Sequence, residues 1–399
     1  MTLLFSKDVT PGFAIHATAE RLRNYLAVEK ACVRINAGWF LEIRPYEQKY
    51  RLAYSLHGHS EHASWLIARL EEMRGGKANA SVRPDLRRLL DEVLHAPDGN
   101  AFLRAFFGVL KRALLNQYRD DLERMDPSAN ANEIRILERI VADLQREMDW
   151  FDRLELEGQT CPWAEYVRSL LTSIGGIHGE ATERDDPLAR PHAGIFRRPG
   201  TILFDDRIRH ERLVPYDERS GYSPREATIE QFKVFFNEMY AAALLASVLF
   251  DAAGDDLPWE FFADFSRHFW DEARHSEFGA IRLKELGTEP DRCDPVLFEQ
   301  SEALPILHRV TYLTRGLEAY FMPRKPKRFK EYEANGDFRS QLFADQDWSD
   351  EINHVRYGSK WTDYLLEDDS REIADVLDEV KAHLSKIRGQ TVADIQAPF

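Results

Sequence analysis

Cysteine is scarce in this 399-residue chain: Cys32, Cys161 and Cys293 lie far apart and form no Cys-x-x-Cys pair. That argues against a disulfide framework and against a thiolate-built zinc or iron–sulfur centre, and it suits a reducing, cytoplasmic compartment. Long apolar runs are missing too. The longest, AAALLASVLF at 241–250, is about half the length of a membrane span, and the N-terminal MTLLFSKDVTPGF lacks the basic start and apolar core of a signal peptide. Neither a membrane nor a leader is expected. Positive charge is in deficit, with 53 basic against 68 acidic residues and a net charge of −15. Such a balance repels a phosphate backbone and argues against a nucleic-acid partner. What is left, 44% hydrophobic and 30% charged residues, is the composition of a soluble globular chain with room for two domains.

Helical periodicity dominates what is present. VLKRALLNQYRDDLERM (109–125) and ANEIRILERIVADLQREMDWFDRL (131–154) space apolar residues three and four apart, with Asp126, Pro127 and Asn130 breaking the pattern between them. Residues 1–175 therefore read as a helical domain. From 176 to 225 Gly, Pro, Arg and Asp prevail, the composition of a connection, in which TILF at 201–204 is a candidate short strand or part of a hairpin. Periodicity returns over 226–399, with helices expected near 226–250, 258–286, 302–322, 338–366 and 370–387.

Two stretches of this last region nearly repeat each other: DEARHSEFG (271–279) and DEINHVRYG (350–358). Both read Asp-Glu-x-x-His-x-x-aromatic-Gly. On a helix, Glu272 and His275 share one face, as do Glu351 and His354, so each pair can bind a metal ion. NEMYA (237–241) and LEAYF (317–321) precede them and supply Glu238 and Glu318. The gaps are 34 and 33 residues, each long enough for one helix, a turn and an antiparallel return to the same depth. Four helices then contribute Glu, Glu-x-x-His, Glu and Glu-x-x-His, the ligand set of a dinuclear site in a helix bundle. Carboxylates with two imidazoles and no thiolate suit iron or manganese. A third Glu-x-x-His, Glu92 to His95, abuts Pro97 and Gly99 at a helix end, has no comparably spaced glutamate motif, and reads as a decoy.

On these six positions and the preceding aspartates, residues 226–366 resemble the oxidase and oxygenase branch of the ferritin-like di-iron carboxylate superfamily. The resemblance implies an all-α fold with a ferritin-like four-helix bundle in the C-terminal half. It implies two iron ions (manganese is the alternative) and dioxygen as co-substrate. It further implies bridging by Glu272 and Glu351, terminal binding by Glu238 and Glu318, and a crosswise second layer in which Asp271 holds His354 and Asp350 holds His275.

Other residues near the ligands are open to two readings. Gly279, Gly358, Ala241 and Ala242 leave space for a small molecule or for close helix packing. Tyr240, Tyr312, Tyr320 and Trp270 are redox or pocket candidates, or plain core. His268, one turn before Glu272, is an extra ligand, an outer partner or a surface histidine. The basic run RKPKRFK (324–330) is a solvated loop or a steering patch for an anionic partner. The N-terminal domain reads as a degenerate copy of the bundle, with Glu42 and Glu47 early, His57, His59 and His62 next, and Leu144 and Glu147 at the last pair of positions. Its expected role is scaffold or dimer surface, although the histidines could still bind a metal. Three functions compete: an oxidase acting on a small organic substrate with an external electron donor, an iron- or peroxide-handling protein, and a helical binding protein in which metal is structural.

Overall fold

The computed structural model describes residues 12–74, 78, 82–156, 158, 160–254, 256–298, 301–367 and 369–388. Residues 1–11 of the stretch weighed above as a leader lie outside them. The chain is all-α: among the described residues the strands are β1 (Arg209–His210) and β2 (Arg292–Cys293), paired in parallel. TILF is not a strand. The Leu203 N–H donates to the Leu41 carbonyl at 2.9 Å, and Ile202 and Phe204 are buried.

Two compact units form, one of Met1–Ile35 with Gly58–Arg197, the other of Asn36–His57 with Arg198–Phe399. The division at 197/198 lies within the connection expected at 176–225, whereas the first two helices each contribute to both units.

The N-terminal unit holds most of α1 (Ile15–Glu42) and α2 (Tyr46–Glu71), then α3 (Pro84–Leu94) and α4 (Gly99–Ala105). A wide π-type turn at Phe106–Lys111 leads directly into α5 (Arg112–Arg124), followed by α6 (Ala131–Phe151) and α7 (Pro162–Ser173). Asp126 closes the α5–α6 turn by accepting the N–H groups of Ser128 and Ala129 at 2.9 and 2.7 Å, the local bonding that makes Asp a turn residue. Leu137, Ile140, Leu144 and Met148 of α6 recur at three- and four-residue spacing and are all buried.

The C-terminal unit is built from α8 (Pro224–Asn237), α9 (Met239–Ala252) and α10 (Trp259–Glu285). Next come α11 (Ile306–Thr311), a second π-type turn (Tyr312–Glu318), α12 (Ala319–Phe321), α13 (Lys325–Ala334), α14 (Phe338–Leu365) and α15 (Ile373–Arg388). Helix α8 starts where Ser223 and Glu226 form a reciprocal capping box around Pro224. Gly287, at φ 72°, ends α10, and Gly336, at φ 69°, ends α13, a backbone region that glycine enters without steric cost. Along α10 the buried residues Phe261, Phe265, His268, Glu272, His275, Gly279 and Leu283 fall on one face; along α14 Phe343, Asp347, Glu351, His354, Gly358 and Trp361 do the same. The inward faces of both helices are therefore partly polar, and polar groups are buried only where partners await them. Taken together, Pro224–Ala252 is long and apolar enough to cross a membrane, but 72% of its most apolar window is buried inside the fold, the pattern of a core helix.

Glycine in these helices serves close packing. A Cβ on Gly279 would lie 2.3 Å from the Phe236 amide nitrogen and 2.7 Å from its Cα, and one on Gly358 would lie 2.1 Å from Thr314 Oγ1. Backbone cannot give way as a side-chain tip can. Gly279→Ala is therefore expected to destabilise the protein by about 1–3 kcal/mol, the usual cost of overpacking, whereas Gly254→Ala, with nothing within 4 Å, stays close to wild type. Thermal unfolding followed by circular dichroism checks this; equal melting temperatures for the two variants would contradict the close approach of α8 and α10.

Candidate metal centre

Four chain segments of the C-terminal unit aim side chains at one place. Helix α10 brings His268, Asp271, Glu272 and His275, and α14 brings Asp347, Asp350, Glu351 and His354. The other two glutamates sit at helix irregularities. Glu238 occupies the break between α8 and α9, its N–H on the Phe235 carbonyl at 3.1 Å. Glu318 closes the π-type turn that follows α11. Such turns occur often at functional sites, because they rotate one residue out of the regular helical register.

The six glutamates and histidines of the repeated pattern come together. His354 Nδ1 lies 3.2 Å from Glu272 Oε1 and 3.7 Å from Glu318 Oε1. His275 Nδ1 lies 3.4 Å from Glu238 Oε2, and Glu351 groups with Glu272 and His275. The aspartates are arranged crosswise: His275 Nε2 is 3.1 Å from Asp350 Oδ2, and His354 Nε2 is 3.4 Å from Asp271 Oδ2. Arg274 donates to both aspartates, at 2.6 and 2.5 Å, and Arg267 adds a bond to Asp271 at 2.8 Å.

Three more residues enter this cluster. His268 is fully buried, its Nε2 2.6 Å from Glu318 Oε1 and its ring stacked on His354 at 3.7 Å. Asp347 is also fully buried and lies 3.7 Å from His275 Nδ1. Lys325 reaches inward to Asp347 and Glu351 at 2.6 and 2.9 Å, so the basic run is not a solvated loop throughout. Lys325, the first residue of α13, is part of the centre; Pro326 follows it in the first turn, where a proline fits.

Each of the six glutamates and histidines keeps one buried atom without a hydrogen-bond partner: Glu238 Oε2, Glu272 Oε1, His275 Nδ1, Glu318 Oε2, Glu351 Oε2 and His354 Nδ1. His268 Nδ1 and Asp347 Oδ2 share that condition. One orphaned polar atom in a core is costly, and eight among the residues of one cluster depart from the rule that buried polar groups find partners.

Protons partly compensate the cluster when no metal is bound. Burial would lower the histidines, yet facing carboxylates raise all three: Asp350 and Glu238 lift His275 well above its ordinary value, Asp271 and Glu272 lift His354 to about 10, and Glu318 lifts His268. Burial pushes Glu238 up to about 7 and also raises Glu318. Glu272 goes the other way, since the surrounding imidazoles outweigh its burial. The Lys325 ammonium is buried but held above its ordinary value by Asp347 and Glu351.

With this geometry established, known families and structures offer one point of contact. Residues 224–399 match the family model described as a protein of unknown function (DUF455). The matched stretch begins at the capping box of α8 and contains all nine residues of the cluster. Neither the curated proteins nor the solved structures give a match.

The other residues singled out in the sequence lie elsewhere or do other work. Tyr320 is 48% exposed and so lines no buried pocket. The buried Tyr312 hydroxyl donates to the Leu297 carbonyl. Tyr240 stacks on Phe298 and places its hydroxyl 3.4 Å from His210. Trp270 packs edge-on against Tyr54 and stacks with His57. Glu92 binds Arg190 at 2.7 Å, and His95 Nδ1 accepts the Phe196 N–H at 3.2 Å, so both residues of the third Glu-x-x-His have protein partners. Glu47 pairs with Arg207 and, like Glu42, is not the acid of the N-terminal unit's buried centre, which is Glu29.

Removing the Lys325 charge leaves Asp347 and Glu351 buried without their ammonium, a change that typically costs about 3–5 kcal/mol. Lys325→Met is expected to lower the melting temperature of the metal-free protein, and added Mn(II) is expected to restore much of the loss. A variant that melts with wild type in the absence of metal would show that the lysine is not part of the centre.

Proposed function

We propose that the C-terminal unit is a ferritin-like four-helix bundle binding two divalent metal ions, iron in the working protein, and that the protein is a cytoplasmic, oxygen-dependent oxidoreductase for a small organic substrate. The observation that carries this reading is the set of orphaned atoms, one on every residue that the repeated Glu and Glu-x-x-His pattern picks out. Charge supports it. Glu238, Glu272, Glu318, Glu351 and Asp347 face one hydrogen-bonded ammonium, Lys325, which leaves about four negative charges for two divalent ions to neutralise. Arg328, 3.8 Å from Asp347, offsets this only in part.

The ligand groups divide in a way that suits two ions. His268, Glu272, Glu318 and His354 form one group; Glu238, His275 and Asp347 form another; Glu272 and Glu351, grouped with His275, lie between them. Hard carboxylates with a few imidazoles favour iron or manganese. Bound ferrous ions would supply electrons to dioxygen for oxidation of the substrate, with an external donor restoring them. The protein's own contribution is to orient the ligand atoms. Asp350 and Asp271 accept the Nε2–H of His275 and His354, which fixes the tautomer that leaves each Nδ1 free to bind. Arg274, which donates to both aspartates, ties the two outer carboxylates together.

Metal analysis tests the site. The double variant His275→Ala/His354→Ala is expected to lose close to two transition-metal ions per chain relative to wild type, whereas His95→Ala loses none. Unchanged metal content in the double variant would refute the dinuclear reading.

Oxygen reactivity tests the chemistry. Wild type and Asp350→Asn are loaded anaerobically with Fe(II), mixed with oxygen and followed by absorption. A transient in wild type and a ~10–100-fold loss of metal affinity or reactivity in the variant are expected from the change at the outer carboxylate. Continued uptake of many irons per chain, indifferent to the substitution, would favour iron storage instead.

A further inference from the structure

The N-terminal unit has a buried polar centre of its own. Glu29 of α1 and His59 and His62 of α2 are each fully buried, and one nitrogen or oxygen from each lies within 4.8 Å of the others. Both histidines turn Nδ1 toward Glu29 Oε2, His62 at 3.2 Å and His59 closer still. The Tyr118 hydroxyl donates to Glu29 Oε1 at 2.7 Å. His62 Nε2 lies 3.4 Å from Asp143 Oδ2. This is the arrangement of His275, with Nδ1 toward a glutamate and Nε2 toward an outer aspartate. His59 Nε2 is buried without a hydrogen-bond partner.

The rest of the centre differs from its C-terminal counterpart in a specific way. Each unit has a π-type turn ending in a residue of its centre: Glu318 in one, Lys111 in the other. Lys111 is fully buried and pairs with buried Glu147 of α6, while Leu144 supplies no ligand. A fixed ammonium and its carboxylate thus stand beside His59 and neutralise each other.

We propose that Glu29, His59 and His62 bind one divalent transition-metal ion, and that the Lys111–Glu147 pair keeps this site mononuclear. Two imidazoles and one carboxylate are the donor set for such an ion. Its two charges would be balanced by Glu29 and Asp143, with both imidazoles neutral. The inference does not depend on the C-terminal site being dinuclear, because every ligand belongs to the other unit.

The test uses the full-length chain stripped of metal and titrated with Co(II) against a chromophoric chelator. In the His275→Ala/His354→Ala background one Co(II) per chain should still bind, and adding His59→Ala with His62→Ala should abolish it. Asp143→Asn in the same background keeps all three ligands and should weaken the remaining site ~10–100-fold; it also serves if the histidine variants fail to fold. Retention of no Co(II) in that background would overturn the proposal. So would one Co(II) whose affinity is indifferent both to Asp143→Asn and to the histidine substitutions. Failure of the C-terminal reading would look different, as wild type would then bind the same single ion as the double variant.

Discussion

Carboxylates that share a buried space repel one another, and much of the C-terminal unit is arranged to offset that repulsion. Five of them meet around three imidazoles and one lysine, with two more just outside, bound by Arg267 and Arg274. Helix geometry alone does not assemble such a group. The α8–α9 break sets Glu238, the π-type turn sets Glu318, and glycine at 279 and 358 lets the neighbouring segments approach closely enough for the ligands to meet. Each of these features weakens a helix taken by itself. They become intelligible as the local cost of holding a polar centre inside an apolar bundle.

The sequence makes the repeated part of this centre legible, raises His268 without deciding its role, and hides Asp347 and Lys325. Glu272, His275, Glu351 and His354 are bound by the three-residue spacing that puts a Glu and a His on one helical face, and Glu238 and Glu318 by nearly the same distance upstream, 34 and 33 residues. His268 and Asp347 each precede the repeated glutamate by four residues, one turn along the same face. Extending the comparison of the two repeats by a turn brings them into line, although a His set against an Asp does not announce a shared role. Lys325 is illegible for another reason. In a run of basic residues nothing marks the one that turns inward, here Lys325 at the start of α13. The units are equally hard to read, because α1 and α2 each run through a boundary that no change of composition marks.

The N-terminal unit shows how the same constraint can be met differently. There Glu29 draws two histidines and a tyrosine, and Lys111 with Glu147 forms an internal ion pair. Burial would raise Glu29, yet the imidazoles hold it below the ordinary carboxylate range, and Glu29 and Asp143 lift His62 to about 9. Counted without the imidazoles, about four negative charges remain in one unit beyond Lys325, and about two, Glu29 and Asp143, remain in the other once Lys111 is paired with Glu147. That difference in side-chain charge, more than any difference in helix arrangement, is what separates a dinuclear centre from a mononuclear one in this account.

The central claim is that the C-terminal cluster is a two-metal site, and anomalous diffraction at the iron absorption edge from crystals grown with Fe(II) under anaerobic conditions tests it most directly. The account predicts two peaks about 3.5–4 Å apart, the spacing of two-metal sites, one beside Glu318 and His354 and the other beside Glu238 and His275. A cluster without anomalous density, in crystals whose iron lies only at the protein surface, would contradict it.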